Sequence, residues 1–403
     1  MAVTKTTHVS YGSRLGNSLK GVVGGFAMLL IGIVLLWWNE GRAVRTAQDL
    51  KLGRKNCVET TYDKIDNELD GKLIHVMGSA STSEVLTDPH FKVSVNGFAL
   101  IRKTEMYQWK ERQTRTEEEN AGGSMDVTIT YNYDKVWSDS PIDSSGFEEA
   151  GHNNPPMQYR APAQYAKQAQ FGARIIKDDD VKGIGKATDF DLAANEAIKA
   201  ELAKTAEDGG PFGLADRPCQ LSGNTLFIGD NPNDPEIGDI RISFSYKPSP
   251  CDISVVGQQA GNTIIPWQSK NGTIYMLHNG LNSSAQMFTS AERGNAMLTW
   301  ILRLVGFVLI FSGFRSIFAI IPTLGAIIPF LGKALGAGVG VLSFALSAVI
   351  SLLVIAISWL FYRPVLGIAL IAAAIAVTWY ARKKGGAAEA AKPAAETTPP
   401  PAA

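Results

Sequence analysis

Residues 334–361 read ALGAGVGVLSFALSAVISLLVIAISWLF, without one charged side chain. A helix rises about 1.5 Å per residue and a bilayer crossing takes about 20 apolar residues, so this stretch is long enough to span. A soluble core does not hide so much uninterrupted apolar sequence, and the chain reads as a membrane protein. Residues 364–380 form a second apolar run, closed by Arg382, Lys383 and Lys384, and 295–321 a third, interrupted by Arg303 and Arg315. Each of these arginines lies near an end of its segment, where the aliphatic stem follows lipid while the guanidinium reaches the headgroups. Near the start, 21–38 is apolar and ends in Trp37, Trp38, Asn39 and Glu40. It is longer than a signal-peptide core and lacks a small-residue cleavage site, so it reads as a retained first span.

Charge sets the expected orientation. Lys5, Arg14 and Lys20 in the basic segment 1–20, and Arg382 to Lys384 at the head of the 381–403 tail, mark the cytoplasmic side, which four spans satisfy. Trp37, Trp38, Trp300 and Trp359 then fall at the outer interface, and Trp379 and Tyr380 at the inner one. The polar stretch 39–294 becomes a large luminal or periplasmic domain tethered at both ends. The Ala-, Pro- and Thr-rich tail builds no core and is expected to be disordered. The fold class is thus α+β, with one N-terminal and three C-terminal transmembrane helices flanking a β-rich extracytoplasmic domain.

Within 39–294, Val127, Ile129, Tyr131 and Tyr133 alternate with polar residues at the period of a half-buried strand. Residues 98–112 are the expected partner, joined across 117–124 with its Gly122 and Gly123. Ile240, Ile242, Phe244 and Tyr246 repeat the alternation, and 253–256, 264–267 and 274–278 follow, which predicts antiparallel sheet. Thr188 and Asp191 resemble a capping box ahead of Ala194, Ile198 and Leu202, which predicts a helical insertion near 188–206. Residues 281–294 are expected to begin a helix that runs on into the second span, and 322–331 to form a short turn before the third. Whether the strands make one domain or two stays open.

A balanced formal charge gives no global argument for nucleic acid. No His-Glu-x-x-His, Cys-x-x-Cys or Gly-x-Ser-x-Gly is present, and Gly183-Ile-Gly-Lys lacks the spacing and hydroxyl of a phosphate loop. The histidines of the middle are scattered, and Asp178 to Asp180 have no calcium-loop spacing, so no catalytic, cofactor or metal residues are assigned. Cys219 and Cys251 either pair or remain thiols, with Cys57 left over. Asn271-Gly-Thr and Asn282-Ser-Ser match glycan acceptors. Gly332, Gly336 and Gly340 recur every four residues, a stripe that lets another helix approach, within one bundle or between copies; Gly21 and Gly25 do the same in the first span.

Several words of the sequence carry a resemblance. They are Asn39-Glu40-Gly41-Arg42-Ala43, Leu73-Ile74-His75-Val76, Asp88-Pro89 after Leu86, Glu105-Met106-Tyr107-Gln108-Trp109, Gly151-His152 with Asn154-Pro155, Pro235-Glu236-Ile237-Gly238-Asp239-Ile240-Arg241, and Trp359-Leu360-Phe361-Tyr362-Arg363-Pro364. In order and spacing these resemble the transmembrane protein 43 (LUMA) family. The resemblance implies cytoplasmic ends and a luminal domain, or a periplasmic one in a bacterial relative. Eukaryotic members reside in the endoplasmic reticulum and inner nuclear membrane, self-associate, and help organise nuclear-envelope proteins such as emerin and lamins. It brings no catalytic residues. This chain departs from it at 178–180, at 188–206 and in its tail.

The motif and interface candidates are therefore Asn39, Glu40, Gly41, Arg42, Glu105, Tyr107, Trp109, His152, Gly238, Asp239, Arg241, Arg363 and Pro364. Glu40 and Arg42 either pair with Arg363 at one interface or serve as separate anchors. The expected function is a non-enzymatic scaffold that assembles copies of itself, and other membrane proteins, in the bilayer. The rivals are a sensor whose outer domain binds a ligand, and an enzyme acting on lipid or peptide.

Overall fold

The computed structural model describes residues 3–214 and 217–364. The chain divides into two compact units, one made of Met1–Arg14, Thr46–Asn295 and Ala326–Pro329, the other of Leu15–Arg45, Ala296–Gly325 and Phe330–Ala403. Beyond Pro364, the expected fourth span and the tail lie outside the described residues.

The first unit is β-rich and contains all the strands among the described residues, its two main sheets sharing one compact unit. Its principal strands are β1 (Val3–Val9), β2 (Leu73–Ser81), β3 (Ser94–Glu119), β4 (Met125–Ser138), β5 (Gln168–Phe171), β6 (Arg174–Lys177), β7 (Cys219–Ser222), β8 (Thr225–Ile228), β9 (Ile240–Pro248), β10 (Cys251–Ala260), β11 (Thr263–Ile265) and β12 (Met276–Asn279). One sheet runs β1-β4-β3-β9-β8-β7, and every neighbouring pair along it is antiparallel. The other runs β12-β10-β11-β6-β5-β2, and a further β10–β2 pairing closes five of its strands into a ring. Two parallel pairings, β6 with β11 and Val58–Glu59 with β2, depart from the purely antiparallel expectation.

The alternation read in the sequence is the alternation that packs. Met106, Ile240, Ile242 and Phe244 point into a core with Phe91, Leu192, Ile198 and Phe212. Ile74, Val76, Phe171, Ile253 and Val255 fill the closed ring with Phe98 and Val181. A third cluster joins Leu50, Met287 and Phe288 from helix ends to Leu73, Val256 and Ile274 of the sheet. Each such side chain taken from water contributes about 1.5–3 kcal/mol.

Of residues 1–20, expected to be a basic flank apart from the domain, 3–9 belong to its sheet. Val3–Val9 are β1, in register with Tyr131–Met125 of β4. Val and Thr fill five of those positions, and their branched side chains suit a pleated surface.

The helices are α1 (Tyr11–Asn56), α2 (Glu196–Leu202), α3 (Ser284–Phe318), α4 (Ile320–Gly325) and α5 (Pro329–Tyr362). Three stretches, Tyr11–Asn56, Ser284–Gly325 and Ala334–Tyr362, are long and apolar enough to cross a membrane. The first extends well past the 21–38 span on both sides, because charge ends a hydrocarbon crossing without ending a helix. Ser10 caps it at one end, and Arg54 and Lys55 complement its dipole at the other. The expected insertion helix is shorter than 188–206. Thr188–Asp189 pair with β9, and Asn195 caps a helix that starts only at Glu196. The expected 322–331 turn is narrower too: Pro322 sits in the first turn of α4 and Pro329 opens α5, positions where a missing N–H costs nothing. The helix expected from 281–294 into the second span is α3.

In the second unit α1 and α3 approach at glycines. A Cβ on Gly25 would stand 2.7 Å from the Gly313 carbonyl oxygen, and one on Gly32 would stand 3.0 Å from that of Gly306. Two glycines of the 332/336/340 stripe make no such approach: Cβ atoms on Gly336 and Gly340 would meet Pro322 and Arg315 at 3.8 and 3.6 Å, ordinary contact.

Candidate functional site

Two constellations gather the motif residues, one in each unit. In the β-rich unit, period-two alternation buries Thr104, Met106 and Gln108 and turns Glu105, Tyr107 and Trp109 to the opposite, half-exposed face. The hairpin register sets Tyr107 across from Trp137 and Trp109 across from Lys135, and the β9 register sets Arg241 across from Glu105. Arg241 Nε donates to Glu105 Oε2 at 2.8 Å, and its guanidinium lies 4.5 Å over the Trp137 ring. Lys103 Nζ stands 3.1 Å from the other Glu105 oxygen. Burial pushes the Glu105 carboxyl up, but the hydrogen bonds and charges of Arg241 and Lys103 outweigh it and hold the group below its ordinary value.

The loop motif docks on this strand. Asn154 Oδ1 accepts from the Trp109 N–H at 2.7 Å while its Nδ2 donates to the Trp109 carbonyl at 2.9 Å, so one amide side chain satisfies the backbone of β3 as a neighbouring strand would. His152 stacks on Tyr133 at 3.9 Å and meets Trp109 edge-on at 4.5 Å. The third motif closes from the other side. Gly238 N–H donates to the Tyr107 carbonyl, and Tyr107 N–H to the Asp239 carbonyl. Gly238 has φ +97°, and a Cβ there would stand 2.9 Å from Pro155, so glycine is required twice over. The Asp239 carboxylate holds its own turn by accepting from Glu236 N–H at 2.8 Å. Three words far apart in sequence are thus one network.

In the helical unit Glu40 is almost fully buried. Its carboxylate accepts from Arg303 Nε at 2.7 Å and Nη2 at 2.9 Å, and from Trp359 Nε1 at 2.8 Å. The Arg303 guanidinium lies 4.8 Å over Trp300 and 5.9 Å over Trp359. Asn39 Nδ2 donates to the Thr299 carbonyl, and Arg42 Nη2 to Thr299 Oγ1 and Asn39 Oδ1. A Cβ on Gly41 would stand 2.6 Å from the Tyr362 ring, which packs in turn on Trp37. The motif after the first span therefore meets α3 and the Trp359–Arg363 motif of α5.

Of the two alternatives for Glu40, pairing with Arg363 or separate anchoring, neither describes it. Arg303, read from sequence as a lipid-facing anchor, takes Glu40, because a carboxylate removed from water needs the nearest forked donor. Arg363 instead lies 5.9 Å over the Trp359 ring, and Pro364 follows it just past the end of α5. Sequence reading also missed Trp137, Tyr133 and Thr299.

Other expectations resolve more simply. The three cysteines are free thiols; Cys219 lies in β7 and Cys251 in β10, strands of different sheets. Burial pushes Cys57 up to about 12, with help from Glu59, and Cys219 to about 11. The glycan-acceptor amides are already engaged, Asn271 Nδ2 by Asp49 and Asn282 Nδ2 by the Asn279 and Gly280 carbonyls. Among the described residues no group of three His, Cys, Asp or Glu side chains is placed to hold a metal ion.

The sequence profile of the Transmembrane protein 43 family matches residues 106–364. The chain is 28% identical over 375 residues to Transmembrane protein 43 of Mus musculus, covering 90% of this chain and 89% of that one. Against the Homo sapiens protein it is 28% identical over 383 residues, 91% of each. The Drosophila melanogaster homolog is 28% identical over 373 residues, 89% of this chain and 93% of its own. No solved structure matches.

Proposed function

The chain belongs to the transmembrane protein 43 family, and on that footing we propose that it is a non-enzymatic membrane scaffold. Its spans, four with 364–380 counted, assemble copies of the chain and organise other membrane proteins around it. One observation supports the reading: the motif residues spend their hydrogen bonds and charges on each other. Glu105, Tyr107, Trp109, His152, Asp239 and Arg241 join three remote segments, and Asn39, Glu40, Gly41 and Arg42 join three helices. Such residues set shape and leave recognition to surfaces.

In this proposal the body of the β-rich unit lies outside the cytoplasm, periplasmic in a bacterial source. In a eukaryotic one it is luminal, in the endoplasmic reticulum and inner nuclear membrane, with emerin- and lamin-type partners. The β1–β4 pairing adds a constraint, since whichever face holds residues 3–9 also holds the 114–131 end of the hairpin. Thr6 and Thr128 are register partners with hydroxyls 3.0 Å apart, so Thr6→Cys/Thr128→Cys is expected to crosslink in native membranes under mild oxidation.

The deciding experiment is chemical crosslinking in native membranes, followed by sizing of the product and identification of whatever is attached. A ladder of homo-oligomers with recurrent membrane-protein adducts is expected. A chain that stays monomeric and bare sinks the proposal.

A further inference from the structure

A second arginine of α3 is placed very differently from Arg303. Arg315 has no carboxylate partner among the described residues, although it lies in a stretch apolar enough to cross a membrane. It lines a groove of about 500 Å³ between α3 and α5, whose other walls include Phe311, Gly336, Gly340, Val341 and Phe344. Val341 and Phe344 are largely exposed. The guanidinium crosses Gly340, where a Cβ would stand 3.6 Å from Nη1. Phe307 meets Phe344 edge-on at 5.4 Å.

The depth of Arg315 follows from the helix pairing. Gly25 faces Gly313 and Gly32 faces Gly306, so Arg315 lies level with a point about 4.5 Å along α1 from Lys20. Lys20 and Glu40 are in turn about 30 Å apart along that helix, the thickness of a hydrocarbon layer. Ser18 and Thr323 hydrogen-bond through their hydroxyls just beyond, marking where polar surroundings resume. Arg315 therefore sits just inside the boundary opposite Glu40, within reach of headgroups, beside a largely apolar groove.

We propose that this groove is a binding site for an anionic phospholipid. Its phosphate accepts the forked N–H groups of Arg315, and one acyl chain lies between Phe311 and Phe344 over Gly336 and Gly340. The glycines matter as empty space, and the charge identifies the occupant. An apolar helix cannot neutralise a guanidinium, and residues 364–380 contain no carboxylate to offer. Lys20 lies on α1 beside the same boundary, a second cation that favours an anionic headgroup. The inference needs only that α3 and α5 lie in a bilayer; it stands or falls apart from self-association.

The test uses the full chain reconstituted in nanodiscs of phosphatidylcholine with a minority of phosphatidylglycerol. The protein is re-extracted in mild detergent and its retained lipid measured by mass spectrometry. The wild type is expected to retain phosphatidylglycerol about five-fold over its share, as one interfacial cation allows. Arg315→Gln falls to parity, Arg315→Lys keeps a preference, and Gly340→Leu loses retained lipid with the charge intact. An undiminished preference in Arg315→Gln overturns the proposal. Should that variant fail to fold, a photo-crosslinker at Val341 of the otherwise wild-type chain decides. Lipid adducts support the site; adducts to a second copy or to residues 364–380 overturn it.

Discussion

Glutamate, arginine and tryptophan meet twice in this molecule. Glu105 pairs with Arg241 over Trp137, and Glu40 pairs with Arg303 between Trp300 and Trp359. The Glu105 and Arg241 side chains keep 16% and 36% of their surface, so water still screens them. Glu40 keeps 1% and Arg303 16%. The Arg241 pair forms a single charged hydrogen bond, shared with Lys103. The Arg303 pair is bidentate and capped by an indole N–H, so each carboxylate oxygen is satisfied inside the bundle. The same three residue types thus make an adjustable tie across a sheet and a knot between helices, and burial decides which.

The largest test of that contrast is Arg303→Ala. Removing one partner of a buried pair strands the other charge, which costs about 3–5 kcal/mol. The variant is expected to show a sharply lower melting temperature in detergent or to fail to accumulate. Glu40→Gln/Arg303→Met, which removes both charges together, is expected to recover most of the loss. If Arg303→Ala melts like wild type, the knot contributes nothing and the comparison fails.

Next in size is Gly41→Ala, beside the knot. The new methyl would stand 2.6 Å from a Tyr362 ring that Trp37 and Arg45 hold on other sides. Overpacking of this kind costs about 1–3 kcal/mol. Tyr362→Leu in the same chain is expected to return part of it, a non-additivity that detergent melting of the single and double variants reads directly.

Much of this was within reach of the sequence, and the parts that were not share a cause. The three described spans and β3, β4 and β9 follow from local sequence pattern. The turn around Gly122 and Gly123 sets the hairpin register, so Trp137 opposite Tyr107 was available to anyone extending the ladder from it. Asn154 replacing a strand for Trp109 has no local pattern, because a loop amide reaches wherever the chain brings it. Glu40 faced several arginines in the sequence. Only the α1–α3 pairing at Gly25–Gly313 and Gly32–Gly306 brings Arg303 to it and leaves Arg315 by itself. Charge was informative about the membrane and silent about the backbone: Glu40 closes the apolar span inside a helix that continues to Asn56, and Lys5, read as part of a basic flank, lies in a strand.

The sheet tie should respond to pH. Glu105 has its folded-state value lowered below the ordinary 4.5. Its contribution is therefore complete above that ordinary value and is lost as pH falls through the lower, folded one. Full-length protein melted in detergent from about pH 6 to about pH 3 should show Glu105→Gln less stable than wild type at the upper end and converging on it at the lower. The gap at the upper end is expected to be about 1 kcal/mol, as for a half-screened charged hydrogen bond. A gap that widens on acidification would reverse the assigned sign.

The smallest effect belongs to a third ion pair on the same ladder. Arg112 Nη2 stands 2.8 Å from Asp134 Oδ2, as short as the Arg241 bond, with side chains 69% and 46% exposed. Distance is therefore held constant between the two pairs while exposure changes. No tryptophan lies under Arg112 among the described residues, and water competes for every lone pair. Arg112→Ala is expected to leave the melting temperature within measurement scatter, at low and high salt alike. If it destabilises the protein as much as Arg241→Ala does, geometry outweighs burial on this sheet. The distinction between tie and knot would then have to rest on hydrogen-bond number rather than on exclusion of water.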